Sequence, residues 1–172
     1  MPGKHGNAIH LPNAQTYDDN IISLGNHDND CLGNVILCPK GVTFSIWFKA
    51  PAQVHDWPWL LLSSEIRVYM RRLADGRLEP NYAMHAKEYG SKDLFTLNEW
   101  HLLVLTYHDL QFKAYQDGCE VPVTFQYDLQ IRQFDFDIGC KLTGNCMIVT
   151  VDDFRFWGEE KDSRFVWWLW SQ

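Results

Sequence analysis

Apolar and polar residues alternate along most of this chain. Val42, Phe44, Ile46 and Phe48 fall on one face of an extended segment, and Thr43, Ser45, Trp47 and Lys49 on the other. One buried face and one mixed face is the signature of an antiparallel strand. Residues 66–71 and 134–139 keep the same rhythm. Residues 100–107 form the longest predicted strand, which turns at His108-Asp109 and returns through residues 112–116. Asp117-Gly118 and Ala74-Asp75-Gly76-Arg77 carry hairpin-turn chemistry. Shorter strands are predicted at residues 6–11, ended by Pro12, at 21–24, closed by Gly25, and at 57–62 and 81–85. Residues 121–125 read as an edge strand, because Pro122 has no N–H to give a ladder. Residues 147–151 enter a last strand that runs on to Trp157. Only residues 159–170 carry a helical pattern. About ten to twelve short strands separated by turns predict an all-β sandwich or barrel.

The length of 172 residues suits one domain spanning 1–172, and no repeat or linker divides it. A net charge of −7 disfavours nucleic acid, whose phosphates need a positive surface. Arg71-Arg72 is the one basic doublet, and it reads as a solvated strand end. No run reaches the 18 apolar residues of a membrane span. The opening Met1-Pro2-Gly3-Lys4-His5 has no apolar signal core. These features leave a cytosolic protein or an excised piece of a larger extracellular one. The five cysteines discriminate only weakly between the two. Cys31 and Cys38 flank a short loop of the kind that disulfides staple in oxidising compartments. Cys119 follows an Asp-Gly turn, and Cys140 and Cys146 bracket another short loop. Cys140 is expected to pair with Cys119 or with Cys146, the first slightly preferred because both follow a glycine at a strand end. No C-x-x-C pair supports zinc.

Several segments, in order, resemble laminin-G-like and pentraxin-like domains. Residues 4–11 (KHGNAIHL) are similar to an opening G-K-x-G-N-A-L-x-L, and residues 17–25 (YDDNIISLG) to S-D-D-Y-V-x-L-G, with Asn20 where an aromatic usually stands. Residues 41–49 (GVTFSIWFK) resemble G-F-T-x-S-x-W-x-K. Residues 99–107 (EWHLLVLTY) are similar to W-H-H-V-A-V-T-Y, and residues 112–118 (FKAYQDG) to L-x-L-Y-V-D-G. Ile138-Gly139 matches a strand end L-x-I-G, and residues 151–157 (VDDFRFW) the closing I-D-D-V-R-I-Y. The Cys31/Cys38 loop before the T-x-S-x-W strand resembles a subset found in ectodomains of animal receptors and polycystin-like membrane proteins. The resemblance implies a concanavalin A-like antiparallel two-sheet jelly-roll with first and last strands adjacent. It also implies extracellular recognition or adhesion, often with calcium. Alternation would bury Phe44, Ile46, Val104, Phe112 and Tyr115 or their neighbours between the sheets.

If the first and last strands are neighbours, Asp18 and Asp19 converge with Asp152 and Asp153. Four carboxylates suit calcium, which takes six to eight oxygens. The alternative makes Asp18 and Asp19 turn residues and pairs one of Asp152 and Asp153 with Arg155. Asp28, Asn29 and Asp30 read as a solvated loop. Asp135 and Asp137 share a strand face, but no acidic residue follows Gly139, which weakens a pentraxin-type metal site. His101 reads as structural. No two glutamates have the spacing of a glycosidase pair, and no nucleophile motif occurs, so no enzyme is expected. Trp57 and Trp59 are candidate ligand-stacking residues. The Trp167-Trp168-Leu169-Trp170 tail packs on a sheet or forms a hot spot, packing being preferred. The expected partners are a protein or glycan ligand, or a second copy of the chain through Cys119, Cys146 or the tail.

Overall fold

The computed structural model describes residues 3–11, 21–27, 29–32, 34–51, 59–62, 66–84, 87–126, 135–139 and 148–172. Twelve strands are found in them: β1 (Ile9–Leu11), β2 (Ile21–Asn26), β3 (Val42–Lys49), β4 (Trp59–Leu62), β5 (Ile66–Arg72), β6 (Leu78–Met84), β7 (Lys87–Gly90), β8 (His101–His108), β9 (Gln111–Gln116), β10 (Cys119–Gln126), β11 (Asp135–Gly139) and β12 (Val149–Trp157). A 3-10 turn covers Val35–Leu37, and helix α1 (Ser163–Trp170) closes the chain. The strands form two six-stranded antiparallel sheets, ordered β1-β12-β3-β8-β9-β10 and β2-β11-β4-β5-β6-β7. The chain crosses repeatedly between the sheets, which gives the jelly-roll sandwich. First and last strands are adjacent, with Ile9 opposite Val151.

The strands form where alternation lets both sheets bury one face against the other. Phe44, Ile46, Phe48, Val68, Met70, Tyr82, Leu103, Leu105 and Phe112 belong to the inter-sheet core. Each large side chain moved from water contributes roughly 1.5–3 kcal/mol. Hairpins follow turn chemistry. Asp117 and Gly118 both have positive φ, 49° and 83°, as a tight β9–β10 turn requires. Asp109 and Leu110, at 47° and 65°, do the same between β8 and β9. Gly41 has φ 78°, and a methyl there would lie 2.5 Å from the Tyr107 carbonyl oxygen, so the entry to β3 requires glycine.

The second face of β3 departs from its expected mixed character. Thr43, Ser45 and Trp47 are all buried. Val104 and Tyr115 belong to this outer side rather than to the inter-sheet core. They pack with Trp47, Leu102, Val166 and Leu169 beneath α1. The segment before α1 is fastened to the first sheet. Thr43 Oγ1 donates to the Glu159 carbonyl at 2.9 Å and accepts from Lys161 N at 2.9 Å. Lys113 Nζ meets Glu160 Oε1 at 2.7 Å. The Asp162 side chain caps α1 by accepting from Phe165 N at 2.9 Å.

Candidate functional site

The site grows from an irregularity in β12. Val149 and Val151 face the core at odd positions, whereas Phe154 and Phe156 pack against it at even ones. The phase can change only if one residue is inserted without a partner. The register shows this: Asp152 lies opposite Trp47 and Arg155 opposite Ser45, three residues along β12 against two along β3. Asp153 takes the left-handed conformation, φ 49°, which aspartate tolerates better than most residues. Bulges of this kind re-aim side chains at sheet rims.

The bulge sits beside a cleft of about 270 Å³ between the two sheets. Asn7, Ile9, Ile22, Leu24, Ile138 and Val151 line it with Asp152, Asp153 and Phe154. The floor is apolar and the rim polar. Asp152 Oδ2 accepts the His5 N–H at 2.8 Å. The segment held by that bond crosses Trp47: Lys4 Nζ lies 4.7 Å from the ring centroid and the His5 ring 5.7 Å away, edge-on. Asp153 Oδ1 pairs with Arg155 Nε at 2.7 Å, as the alternative sequence reading expected. Asp153 Oδ2 is enclosed and has no hydrogen-bond partner among the described residues.

Asp18 and Asp19, expected to converge with Asp152 and Asp153, lie outside the described residues. Among the described residues, no three His, Cys, Asp or Glu side chains come close enough to hold a metal. Asp30 stabilises its loop, meeting His27 Nδ1 at 2.7 Å and the Leu32 N–H at 2.9 Å. The first of these bonds holds the His27 imidazole above its ordinary pKa, followed by the contact with the Leu24 carbonyl. Asp137 is buried, with Ser23 and Leu62 as its neighbours in register. His101 is structural: its Nδ1 lies 2.7 Å from Asp117 Oδ2, and its Nε2 faces Thr96.

Trp57 lies outside the described residues. Trp59 opens β4 opposite Tyr69. The row of β5 and β6 turned from the inter-sheet core carries Arg67, Tyr69, Asn81 and Glu79, of which Tyr69 and Asn81 are buried. The tail packs through Val166 and Leu169, yet Trp167, Trp168 and Trp170 remain exposed.

Cys31 and Cys38 are bridged, their Cα atoms 5.3 Å apart. A methyl at Gly158 would lie 3.2 Å from Cys31 Sγ, so the bridge presses on the chain leaving β12. Cys119 is an exposed free thiol, and its expected partner Cys140 lies outside the described residues. Topology sets apart the two strand ends that precede them. β10 is the edge of the first sheet beside β9, and β9 faces β6 through the Tyr82–Gln116 bond of 2.5 Å. Gly139 ends β11, which faces β1 and β12 at the opposite side of the sandwich. Cys140 and Cys146 themselves lie outside the described residues.

The class defined by this fold is a two-sheet jelly-roll with a ligand-sized rim cleft. The chain belongs to the concanavalin A-like lectin/glucanases superfamily, whose laminin-G-type model matches residues 24–163. No curated protein sequence matches it. Among solved structures, the chain is similar to the native heptameric SAP-like pentraxin of Limulus polyphemus, at 14% identity and TM-score 0.60, covering 74% of this chain and 68% of that one. Domain 4 of an extracellular arabinanase from Geobacillus stearothermophilus, in complex with arabinotriose, aligns at 16% identity and TM-score 0.67, covering 98% and 79%. The ligand-binding domain of botulinum neurotoxin serotype D, in complex with N-acetylneuraminic acid, aligns at 16% and 0.66, covering 96% of this chain and 42% of that one. The chain spans only 23% of a sialidase from Trypanosoma rangeli. At these identities the similarity establishes the fold.

Proposed function

We propose that this domain is an extracellular, non-catalytic recognition module that holds a neutral glycan in the rim cleft. The observation that carries the reading is the cleft itself. Its apolar floor suits the C–H face of a sugar ring. Asn7 and Asp152 at its rim suit sugar hydroxyls, which need both donors and acceptors. Two carboxylates there and a chain charge of −7 disfavour acidic sugars. Of the nearby cations, Arg155 is paired with Asp153 and Lys4 lies over the Trp47 ring. The arabinotriose and N-acetylneuraminic acid complexes of similar domains support a sugar ligand in general. The Cys31–Cys38 bridge supports an oxidising compartment. Both cleft carboxylates are held as hydrogen-bond acceptors, an arrangement for binding rather than for proton transfer. The test is a glycan array. Binding to neutral oligosaccharides, lost in Asn7→Ala, supports the reading. Binding to sialylated glycans alone, or to a protein ligand unaffected by Asn7→Ala, contradicts it.

A calcium ion at the same rim is a second reading, favoured by the enclosed, unpartnered Asp153 Oδ2. Asp152 and Asp153 supply too few oxygens alone, so this reading requires Asp18 and Asp19. A native-state ligand stabilises by mass action. A melting temperature several degrees lower in EDTA than in millimolar calcium supports it, and identical melting contradicts it.

A further inference from the structure

The surface of α1 is apolar on the side turned from the domain as well as on the side turned toward it. Val166 and Leu169 are buried against the first sheet. Trp167 is 59% exposed, Trp168 47% and Trp170 40%. A helix that is apolar all round is normally buried on all sides. Trp and Arg are also the residues that dominate binding hot spots, and Arg164 lies on the same exposed turn, three and four positions before Trp167 and Trp168. The patch is continuous with the edge of the sheet: the Trp170 ring lies 3.3 Å from where a methyl on Gly118 would stand, next to the exposed Cys119 and Glu120 of β10.

We infer that this face is covered by a second copy of the chain, the two α1 helices packing across a two-fold axis. Area supports that occupant. With about 250 Å² for a whole Trp, the three rings leave roughly 350 Å² per copy in water. That is an aromatic core for an interface whose usual size is about 800 Å² per partner. Arg164, Glu120, Ser171 and Gln172 supply a polar rim of the usual kind. Charge supports it too. Two cations stand at the patch, Arg164 and Lys161, whose Nζ lies 5.0 Å from the Phe165 ring, together with the exposed acids Asp162 and Glu120. A two-fold axis brings each Arg164 toward the partner's acidic rim, so the surface is self-complementary. A lipid surface fits less well, because membrane-seeking helices carry an excess of basic residues around their aromatic face, whereas here Arg164 and Lys161 are offset by Asp162 and Glu120. Pro122 in β10 argues against joining the sheets edge to edge and leaves the helix as the contact.

The experiment is multi-angle light scattering of the full chain over a concentration series from 1 to 300 μM, roughly bracketing weak to stable dimers. Cys119→Ser is used throughout, so that no intermolecular disulfide at that thiol contributes and no reductant touches the Cys31–Cys38 bridge. The expected result is a doubling of mass with rising concentration, accompanied by a blue shift of Trp emission. Trp167→Ala/Trp168→Ala is expected to weaken association at least tenfold, while at 1 μM, where association contributes little, the fold still melts cooperatively, short only of the Trp168–Phe165 ring contact. Arg164→Glu is expected to weaken it as well. A chain that stays monomeric at 300 μM overturns the inference. So does a dimer whose mass profile is unmoved by the double Trp variant. Co-sedimentation of the monomer with phosphatidylcholine vesicles, abolished by that variant, assigns the patch to lipid instead and also overturns it. None of these outcomes depends on glycan binding.

Discussion

The backbone N–H of His5 donates to Asp152 Oδ2 across 2.8 Å, so the last strand holds the first residues of the chain in place. The same carboxylate lines the cleft, and the segment it anchors carries Asn7 into the cleft wall. Anchor and binding rim are therefore one residue.

Gly3 lies so close to this carboxyl group that a methyl there would overlap it. Gly3→Ala is expected to push the segment from Asp152 and lower stability by about 1 kcal/mol, a shift of roughly 2–4 °C for a domain of this size. Asp152→Asn keeps an acceptor and is expected to cost less. Thermal unfolding of the two variants checks the order.

Asp117 supports the β8–β9–β10 unit with both oxygens, one on His101 Nδ1 at 2.7 Å and one on the Leu102 N–H at 2.8 Å. Its φ of 49° also demands a residue that tolerates the left-handed region. Asp117→Ala leaves both donors unmet and adds strain, for an expected loss of about 2–4 kcal/mol. Asp117→Asn retains one acceptor and the conformational tolerance, so its loss is expected to be about half. Urea denaturation gives both values.

The Tyr115 phenol is pushed up to about 12 by burial, and next by the Glu120 carboxylate opposite it in register. Tyr82, more deeply buried between the sheets, is raised further. A phenol ionises near 10 in the unfolded chain. The folded state therefore keeps a proton that the unfolded state releases. The associated stability is fully present below pH 10 and is lost as pH rises through about 12. Denaturation midpoints are expected to fall over that window, with a shallower fall in Tyr115→Phe.

The Cys31–Cys38 bridge closes a loop with a sequence separation of 7. Replacing both cysteines by serine is expected to lower stability by about 2–3 kcal/mol, because the bridge restrains the unfolded chain. Differential scanning calorimetry of the double variant checks this.

Much of the fold was legible because alternation is a direct record of one-sided burial. β3 was expected at residues 42–49 and occupies Val42–Lys49, and β5, β8, β9 and β11 agree to within a residue or two. β7 was missed. Lys87, Glu88 and Gly90 carry no apolar rhythm, and that edge strand is held by its pairing with β6. The burial of Thr43, Ser45 and Trp47 was not legible either, because what covers them is remote in sequence: α1 beyond residue 162 and the segment at residues 3–7. The bulge at Asp153 left a trace that alternation alone passes over. Apolar residues move from 149 and 151 to 154 and 156, and that change of phase marks an inserted residue. Cys119 and Cys140 both follow a glycine at a strand end, but sheet order separates those ends, and sheet order is not written in local sequence.

Binding in the rim cleft leaves a mark on the residues that line it. An amide chemical-shift titration of the full chain with a neutral oligosaccharide selected on the array tests it most directly. Saturable shifts confined to Asn7, Ile9, Ile22, Leu24 and residues 152–154, and absent in Asn7→Ala, are expected. Shifts that map instead to the row of Tyr69 and Asn81, or to α1, would contradict binding in the cleft.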